Sequence, residues 1–201
     1  MKRPTCTTCL RAQSACICQW ITPTAHTSQV LILQHPSEVN QAKGSARLLH
    51  LSLQNSLMVT GETFDTQTLG PLLTNPPAYT VLLYPDHAQD TAVDLVPAPT
   101  LEPAALHDPA HVRLVVLDGT WRKSRKMLYL NPLLQQLPRL SLHHHPASRY
   151  YIRAAHKPHQ LSTLEATCAA LAQIESNATP FAPLLAAFDG FVAQQAAYYL
   201  R

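Results

Sequence analysis

The tetrapeptide Asp118-Gly119-Thr120-Trp121 ends an apolar run and is followed at once by Arg122, Lys123, Arg125 and Lys126. A carboxylate between a buried strand and a cationic helix has two uses. It can satisfy the free amides of the first helical turn, or it can accept a proton and hold a polar ligand. Residue type and spacing leave both open for Asp118. On a helical wheel the four cations share one face, whereas Trp121, Met127 and Leu128 point elsewhere. Ligand sites in open α/β sheets lie beyond the carboxyl ends of strands, which is where this acid falls.

A second group with chemistry lies at the N-terminus. Cys6, Cys9, Cys16 and Cys18 form a C-x2-C-x6-C-x-C pattern. Four thiolates complete a tetrahedral zinc ion, and the C-x2-C turn lets neighbouring sulfurs converge on it. With four protein ligands no position remains for water, so a structural site is expected over a catalytic one, with redox or iron–sulfur use as the competing chemistry. Cys168, inside an apolar helical pattern, reads as a small buried hydrophobe. His143-His144-His145 has no accompanying ligand cluster and reads as loop.

The elements that must position these groups follow from periodicity. Val112 and Leu114 to Leu117 put five apolar residues into six positions, as a strand buried on both faces requires. Val30 to Gln34 and Tyr79 to Tyr84 read as further buried strands, and Arg139 to Leu142 as a short one. A helix is expected from Ser45, carrying Ala46, Leu49, Leu53 and Leu57 along one side. Another begins near Trp121 with Thr120 as N-cap, and Leu101 to Leu106 forms a short one. Ser162-Thr163-Leu164-Glu165 matches a capping box that opens a helix over Thr163 to Ile174. Pro180 suits the first turn of a last helix reaching Tyr199. Strands alternating with helices predict an α/β domain with a largely parallel sheet.

At 201 residues and 46% hydrophobic, the chain can bury one core with a small appendage, divided as residues 1–22 for the cysteine knuckle and 23–201 for the rest. No apolar run is long enough to span a bilayer and no signal peptide opens the chain, so a soluble cytoplasmic protein is expected, with no membrane and no protein partner implied. Charge is segregated. Residues 48 to 110 hold seven acids and no Lys or Arg, whereas residues 111 to 157 hold nine Lys and Arg and one acid, Asp118. Gathered on one surface, those cations would favour a polyanionic partner such as RNA.

The Asp118-Gly119-Thr120-Trp121 segment resembles the Asp-x-Thr-Trp signature of the DTW-domain family. The cysteine knuckle, QHPSE (Gln34 to Glu38), LLYP (Leu82 to Pro85), RKSRKML and LSTLEA (Leu161 to Ala166) match the family's blocks in the family's order across nearly the whole chain. One block departs: where the family favours an Asn-Thr-Gly-Arg-like segment, Lys43 to Arg47 keeps only the arginine.

The resemblance implies a SPOUT-like α/β fold, with a C-terminal knot, and a tRNA-uridine aminocarboxypropyltransferase. S-Adenosylmethionine would be the donor, its 3-amino-3-carboxypropyl group passing to uridine N3 of tRNA in the variable loop or D-loop, with methylthioadenosine released. The catalytic residues would be Asp118, Thr120 and Trp121, with Asp118 accepting or orienting the N3 proton. Leu83, Tyr84, Pro85, Leu117, Asp118, Gly119, Leu161, Ser162, Thr163 and Glu165 would form the donor cradle, free amides at the Ser162–Thr163 helix start meeting the donor's carboxylate. Glu165 has an alternative use within the capping box. His35, Glu38 and Arg47 would approach the uracil or line the pocket. Arg122, Lys123, Arg125, Lys126, Arg149, Arg153 and Lys157 would contact RNA phosphates. Two other readings use the same residues: a SPOUT-type RNA methyltransferase, and a zinc-stabilised RNA-binding module without catalysis.

Overall fold

The computed structural model describes residues 4–85, 97–142, 148 and 161–199. Strands β1 (Gln29–Gln34), β2 (Ser56–Thr60), β3 (Tyr79–Leu83), β4 (Val112–Asp118) and β5 (Arg139–Leu140) form one sheet in the order β2-β1-β4-β3-β5. Every pairing is parallel. The parallel α/β class expected from the alternation of patterns is thus the one observed. Its central strand is β4, all seven residues of which are buried.

Because side chains alternate along a strand, the two faces of β4 feed two separate cores. Val112, Leu114 and Val116 join Val30, Ile32 and Val81 in one. That core is closed by α1 (Ala46–Ser52), α5 (Thr163–Ile174) and α6 (Ala182–Tyr199), through Leu49, Leu164, Cys168, Phe188 and Phe191. Val115 and Leu117 join Leu31, Leu33 and Leu82 in the other, under α2 (Thr66–Thr74), α3 (Trp121–Leu130) and α4 (Pro132–Gln135). Burial pushes the Cys168 thiol up to about 12, in keeping with its expected role as a small apolar filler.

The cysteine segment packs on the first core. Cys9 and Ile17 are buried in it, and α6 clasps the segment from outside. Gln194 donates to the Cys16 carbonyl at 3.1 Å and accepts from the Trp20 indole, while the Tyr198 hydroxyl donates to the Ser14 carbonyl at 2.6 Å. Gly190 is required here, since a Cβ would meet the Trp20 ring at 2.2 Å. No helix among the described residues is long and apolar enough to cross a membrane.

Four expectations change. The helix from Ser45 ends at Ser52, and Leu57 lies instead on β2, half-exposed at the sheet edge. The leucine spacing looked continuous because an amphipathic helix and a one-sided strand share apolar positions across the turn at Asn55. Helix α2 was not foreseen, since Gly70 and Pro71 interrupt its pattern. Its Asp65 cap, accepting from the Thr68 amide at 2.7 Å, and the burial of Leu69 and Leu73 outweigh that. The last helix is preceded by a separate 3-10 turn, Thr179–Phe181, which takes Pro180. The Leu101–Leu106 segment forms a 3-10 turn over Pro103–Leu106. The path from β5 to α5, on which the expected knot depends, runs mostly through residues 143–147 and 149–160, outside the described residues.

One member of the basic block is structural. Arg113 is buried on β4 beside its register neighbours Gln29 and Thr80. Its guanidinium donates to Gln29 Oε1 at 2.7 Å, Pro76 O at 2.6 Å, and to Leu73 O and Thr80 Oγ1. It therefore joins β1, β3, β4 and the end of α2. Arg113→Met strands several buried acceptors and should lower unfolding stability by about 2–4 kcal/mol in urea titrations, with the slope unchanged.

Candidate functional site

The carboxyl end of β1 and the start of α5 meet Asp118 at the carboxyl end of β4. In the β1–β4 register Gln34 is the direct partner of Asp118, so their side chains leave the sheet on the same face. Gln34 Nε2 donates to Asp118 Oδ2 at 2.9 Å, and Thr163 Oγ1, at the first position of α5, donates to Oδ1 at 2.7 Å. Asp118 is 4% exposed. Two neutral donors to a buried carboxylate favour its ionised form.

Geometry gives the cap of α3 to a neighbour of Asp118. Thr120, not Asp118, caps α3, accepting from the Lys123 amide through its hydroxyl and from the Ser124 amide at 2.8 Å through its carbonyl. Gly119 is tightly placed over that first turn, where a Cβ would lie 3.1 Å from that of Lys123. Trp121 is 51% exposed, with its ring edge-on to buried Tyr84 at 5.8 Å between centroids. Tyr84 and Pro85 follow β3, and Leu83 and Leu117 line the ends of their strands.

The start of α5 carries the expected capping box over Ser162 to Glu165. Its capping box is fully formed: Glu165 N donates to Ser162 Oγ at 3.2 Å, and Ser162 N to Glu165 Oε2 at 2.7 Å. Leu164 N donates to Ser45 Oγ at 3.3 Å, and Ser148 Oγ donates to Glu165. The amides of Leu164 and Glu165 are thus already used within the fold. Leu161, Ser162 and Thr163 lie at the helix start as predicted, but Thr163 is turned to Asp118.

His35 follows Gln34, and its amide donates to the Asp118 carbonyl at 2.9 Å. Its Nδ1 accepts from the Ser37 amide, which can only donate, so in the neutral ring Nε2 carries the hydrogen and donates to Glu62 at 2.8 Å. Glu62, at the end of β2, also accepts from Lys126 Nζ at 2.9 Å. Lys126 first, and His35 next, hold the Glu62 carboxyl below its usual range. Buried Glu38 accepts from Lys123 Nζ at 2.7 Å. Two of the four cations expected to face phosphates on α3 are therefore engaged by acids from the β1 and β2 ends. Arg122 is exposed and Arg125 half-buried, whereas Arg149, Arg153 and Lys157 lie outside the described residues.

Arg47 is placed away from this cluster. Its Nη2 donates to the Thr8 carbonyl at 2.9 Å, joining α1 to the first cysteine turn. Arg11 makes the reciprocal tie, donating to the carbonyls of Ala42 and Gly44. Glu62 and Gln34 are the polar residues that sequence reading missed. Glu62 was one of seven acids in a block with no pattern, and Gln34 was visible only as a strand end. Strand pairing, which local spacing does not contain, gives each its partner.

The four cysteine sulfurs lie within 4.8 Å of one another. Cys6–Cys18 at 3.6 Å and Cys9–Cys16 at 3.8 Å match the edge of a tetrahedron with zinc–sulfur bonds of about 2.3 Å, roughly 3.8 Å. The Cys9 and Thr8 amides pull the Cys6 thiol down to about 6, so one thiolate is ready at neutral pH. Burial and then the neighbouring sulfurs push Cys18 up to about 12, an obstacle that a dication between the sulfurs removes. The donor set therefore fits a structural zinc ion held by Cys6, Cys9, Cys16 and Cys18.

Two outcomes follow. Protein purified without added metal should carry close to one zinc per chain by elemental analysis, and chelation should lower the melting temperature by several degrees as the Cys9–Ile17 packing loosens. Gln34→Leu should leave the fold intact while raising the apparent pKa of Asp118, read as a shift of its carboxyl resonance titration to higher pH. The sign follows from the lost donor: with less stabilisation of the anion, protonation occurs at higher pH.

The DTW domain family matches residues 3–196. The chain is 30% identical over 182 residues to tRNA-uridine aminocarboxypropyltransferase 2 of Macaca fascicularis, covering 88% of this chain and 58% of that protein. It is 32% identical over 184 residues to tRNA-uridine aminocarboxypropyltransferase 2 of Drosophila melanogaster, covering 88% and 68%. With tRNA-uridine aminocarboxypropyltransferase A of Arabidopsis thaliana it shares 26% identity over 138 residues, 63% of this chain and 51% of that protein. The chain thus spans between about half and two thirds of the length of these relatives. No solved structure matches it at a significant level. With a family match over almost its full length and the Asp118–Trp121 signature at the carboxyl end of its central strand, the chain belongs to the DTW domain family.

Proposed function

We propose that the protein is a tRNA-uridine aminocarboxypropyltransferase that uses S-adenosylmethionine as donor and acts on uridine N3 in cytoplasmic tRNA. The observation that carries this reading is the buried Asp118 carboxyl group held by Gln34 and Thr163 at the carboxyl end of β4. The names of the relatives agree with it. Residues 23–201 are read as the catalytic domain, SPOUT-like with a C-terminal knot, and residues 1–22 as its zinc knuckle.

The donor supplies a sulfonium whose attached carbons are electrophilic. Uridine N3 is a poor nucleophile until its proton leaves, so a base must take that proton as the N3–carbon bond forms. The carbon–sulfur bond breaks in the same step and its electron pair stays on sulfur, in the methylthioadenosine released. Asp118 is the residue placed to accept the N3 proton. Gln34 and Thr163 fix the plane of its carboxylate, which limits the directions from which N3–H can approach. Trp121, exposed beside it, offers a face on which a splayed-out base can stack. Arg122 and Arg125 at the same helix start favour the anion that develops on the uracil.

Asp118→Asn should retain the fold and donor binding but lose at least about 100-fold in turnover, the scale of general-base catalysis. The measurement is nucleoside mass spectrometry of tRNA incubated with enzyme and donor. Full turnover by Asp118→Asn would remove the base role. Release of S-adenosylhomocysteine instead of methylthioadenosine would mean that the methyl group is transferred.

A further inference from the structure

Two arginines are buried in the sheet, and the fold treats them in opposite ways. Arg113 is satisfied by four acceptors from three segments. Arg139, which opens β5, is 8% exposed, yet its Nε has no hydrogen-bond partner. No carboxylate among the described residues pairs with it. Its contact is with an aromatic face: the guanidinium lies 5.5 Å from the centroid of the Tyr84 ring. A buried cation with no acidic partner among the described residues is destabilising in itself, since fixed charges taken from water need paired partners.

The direction of the side chain says where a partner would sit. Arg139 pairs in register with Leu82, but its guanidinium covers Tyr84, two residues further on and just past β3. It therefore leans toward the carboxyl edge of the sheet. There Tyr84 meets Trp121 edge-on, three residues after Asp118. Arg125 lies one helical turn beyond Trp121. Burial pushes the Tyr84 phenol up, and the positive charges of Arg139 and then Arg125 act against that.

We propose that Arg139, with Tyr84 beside it, is the receptor for the α-carboxylate of the donor's amino-acid end. The planar guanidinium fork matches a carboxylate bidentately, and burial strengthens such a pair. The alternative receptor, the start of α5, has its Leu164 and Glu165 amides committed to Ser45 and Ser162. Holding the carboxylate at Tyr84 would anchor the group to be transferred at its far end, on the Trp121 side of Asp118. The assignment rests on the donor being S-adenosylmethionine.

The test compares binding of S-adenosylmethionine with that of its decarboxylated analogue by calorimetry, for the wild-type protein and Arg139→Met, which keeps the stem's packing without the charge. The wild type should prefer the carboxylated donor by roughly 10- to 100-fold, the scale of a charge-assisted pair. In Arg139→Met the two ligands should bind within roughly 2-fold of each other, and Arg139→Lys should fall between, since it keeps charge but loses the fork. The melting temperature of ligand-free Arg139→Met should equal or exceed that of wild type, because a residue kept for binding is not required for folding. A preference that survives in Arg139→Met overturns the proposal. So does a loss of tRNA affinity in that variant with the donor preference intact, which would assign the guanidinium to a phosphate. A wild-type protein that binds neither ligand would instead overturn the choice of donor.

Discussion

A carboxylate withdrawn from water at the end of a central strand must be given donors, and the fold around Asp118 is organised to supply them. One comes from β1 through direct register, the other from the first residue of α5. Both depend on tertiary neighbours: Gln34 is 84 positions away in the chain and Thr163 is 45. The adjacency of β1 and β4 and the docking of α5 on the first core are therefore conditions for the charge state of one side chain. Without either donor, a buried acid tends to neutralise, and a neutral carboxyl group is a poor proton acceptor. The backbone contributes as well, since the His35 amide closes on the Asp118 carbonyl and keeps the loop after β1 next to the loop after β4.

The loops that surround this acid are held mainly by charge. Glu38 takes Lys123, and Glu62 takes both His35 and Lys126, so α3 is tied to the ends of β1 and β2. On its other side the β1 loop is tied to the cysteine segment, where Arg11 reaches Ala42 and Gly44 and Arg47 reaches Thr8. The cysteine knuckle, gripped from outside by Gln194 and Tyr198 of α6, thereby becomes one wall of the scaffold. The loop between Glu38 and Ser45 connects it to the surroundings of Asp118. Ser45 itself accepts the Leu164 amide and so links that loop to α5.

The cations illustrate how one residue type divides on folding. Among those in the basic block, Arg113 stitches strands and Lys123 and Lys126 position loops. Arg139 is buried against Tyr84, while Arg122 stays on the surface. The positive field inferred from composition is correspondingly weaker on the α3 face than a count of charges suggests. Trp121 and Tyr129 are exposed on that helix, so apolar surface as well as charge is offered there.

Much of this molecule is legible in its sequence, for local reasons. Continuous apolar runs mark strands buried on both faces. The capping box at Ser162 and the Thr120 cap mark helix starts, because the atoms that satisfy one another are three residues apart. Four cysteines within thirteen residues converge whatever the rest of the chain does. Helix α2 was hidden because its support, the Asp65 cap and the burial of Leu69 and Leu73, competes with Gly70 and Pro71 in the same nine residues. The partner of each charge was beyond sequence reading. Whether Asp118 caps a helix or is held by Gln34 and Thr163, whether Arg113 faces RNA or carbonyl oxygens, and whether Arg47 meets substrate or Thr8 depend on strand order and register. Those are set by how two cores close on opposite faces of one sheet, and a polar side chain takes its role from whichever segment that packing brings beside it.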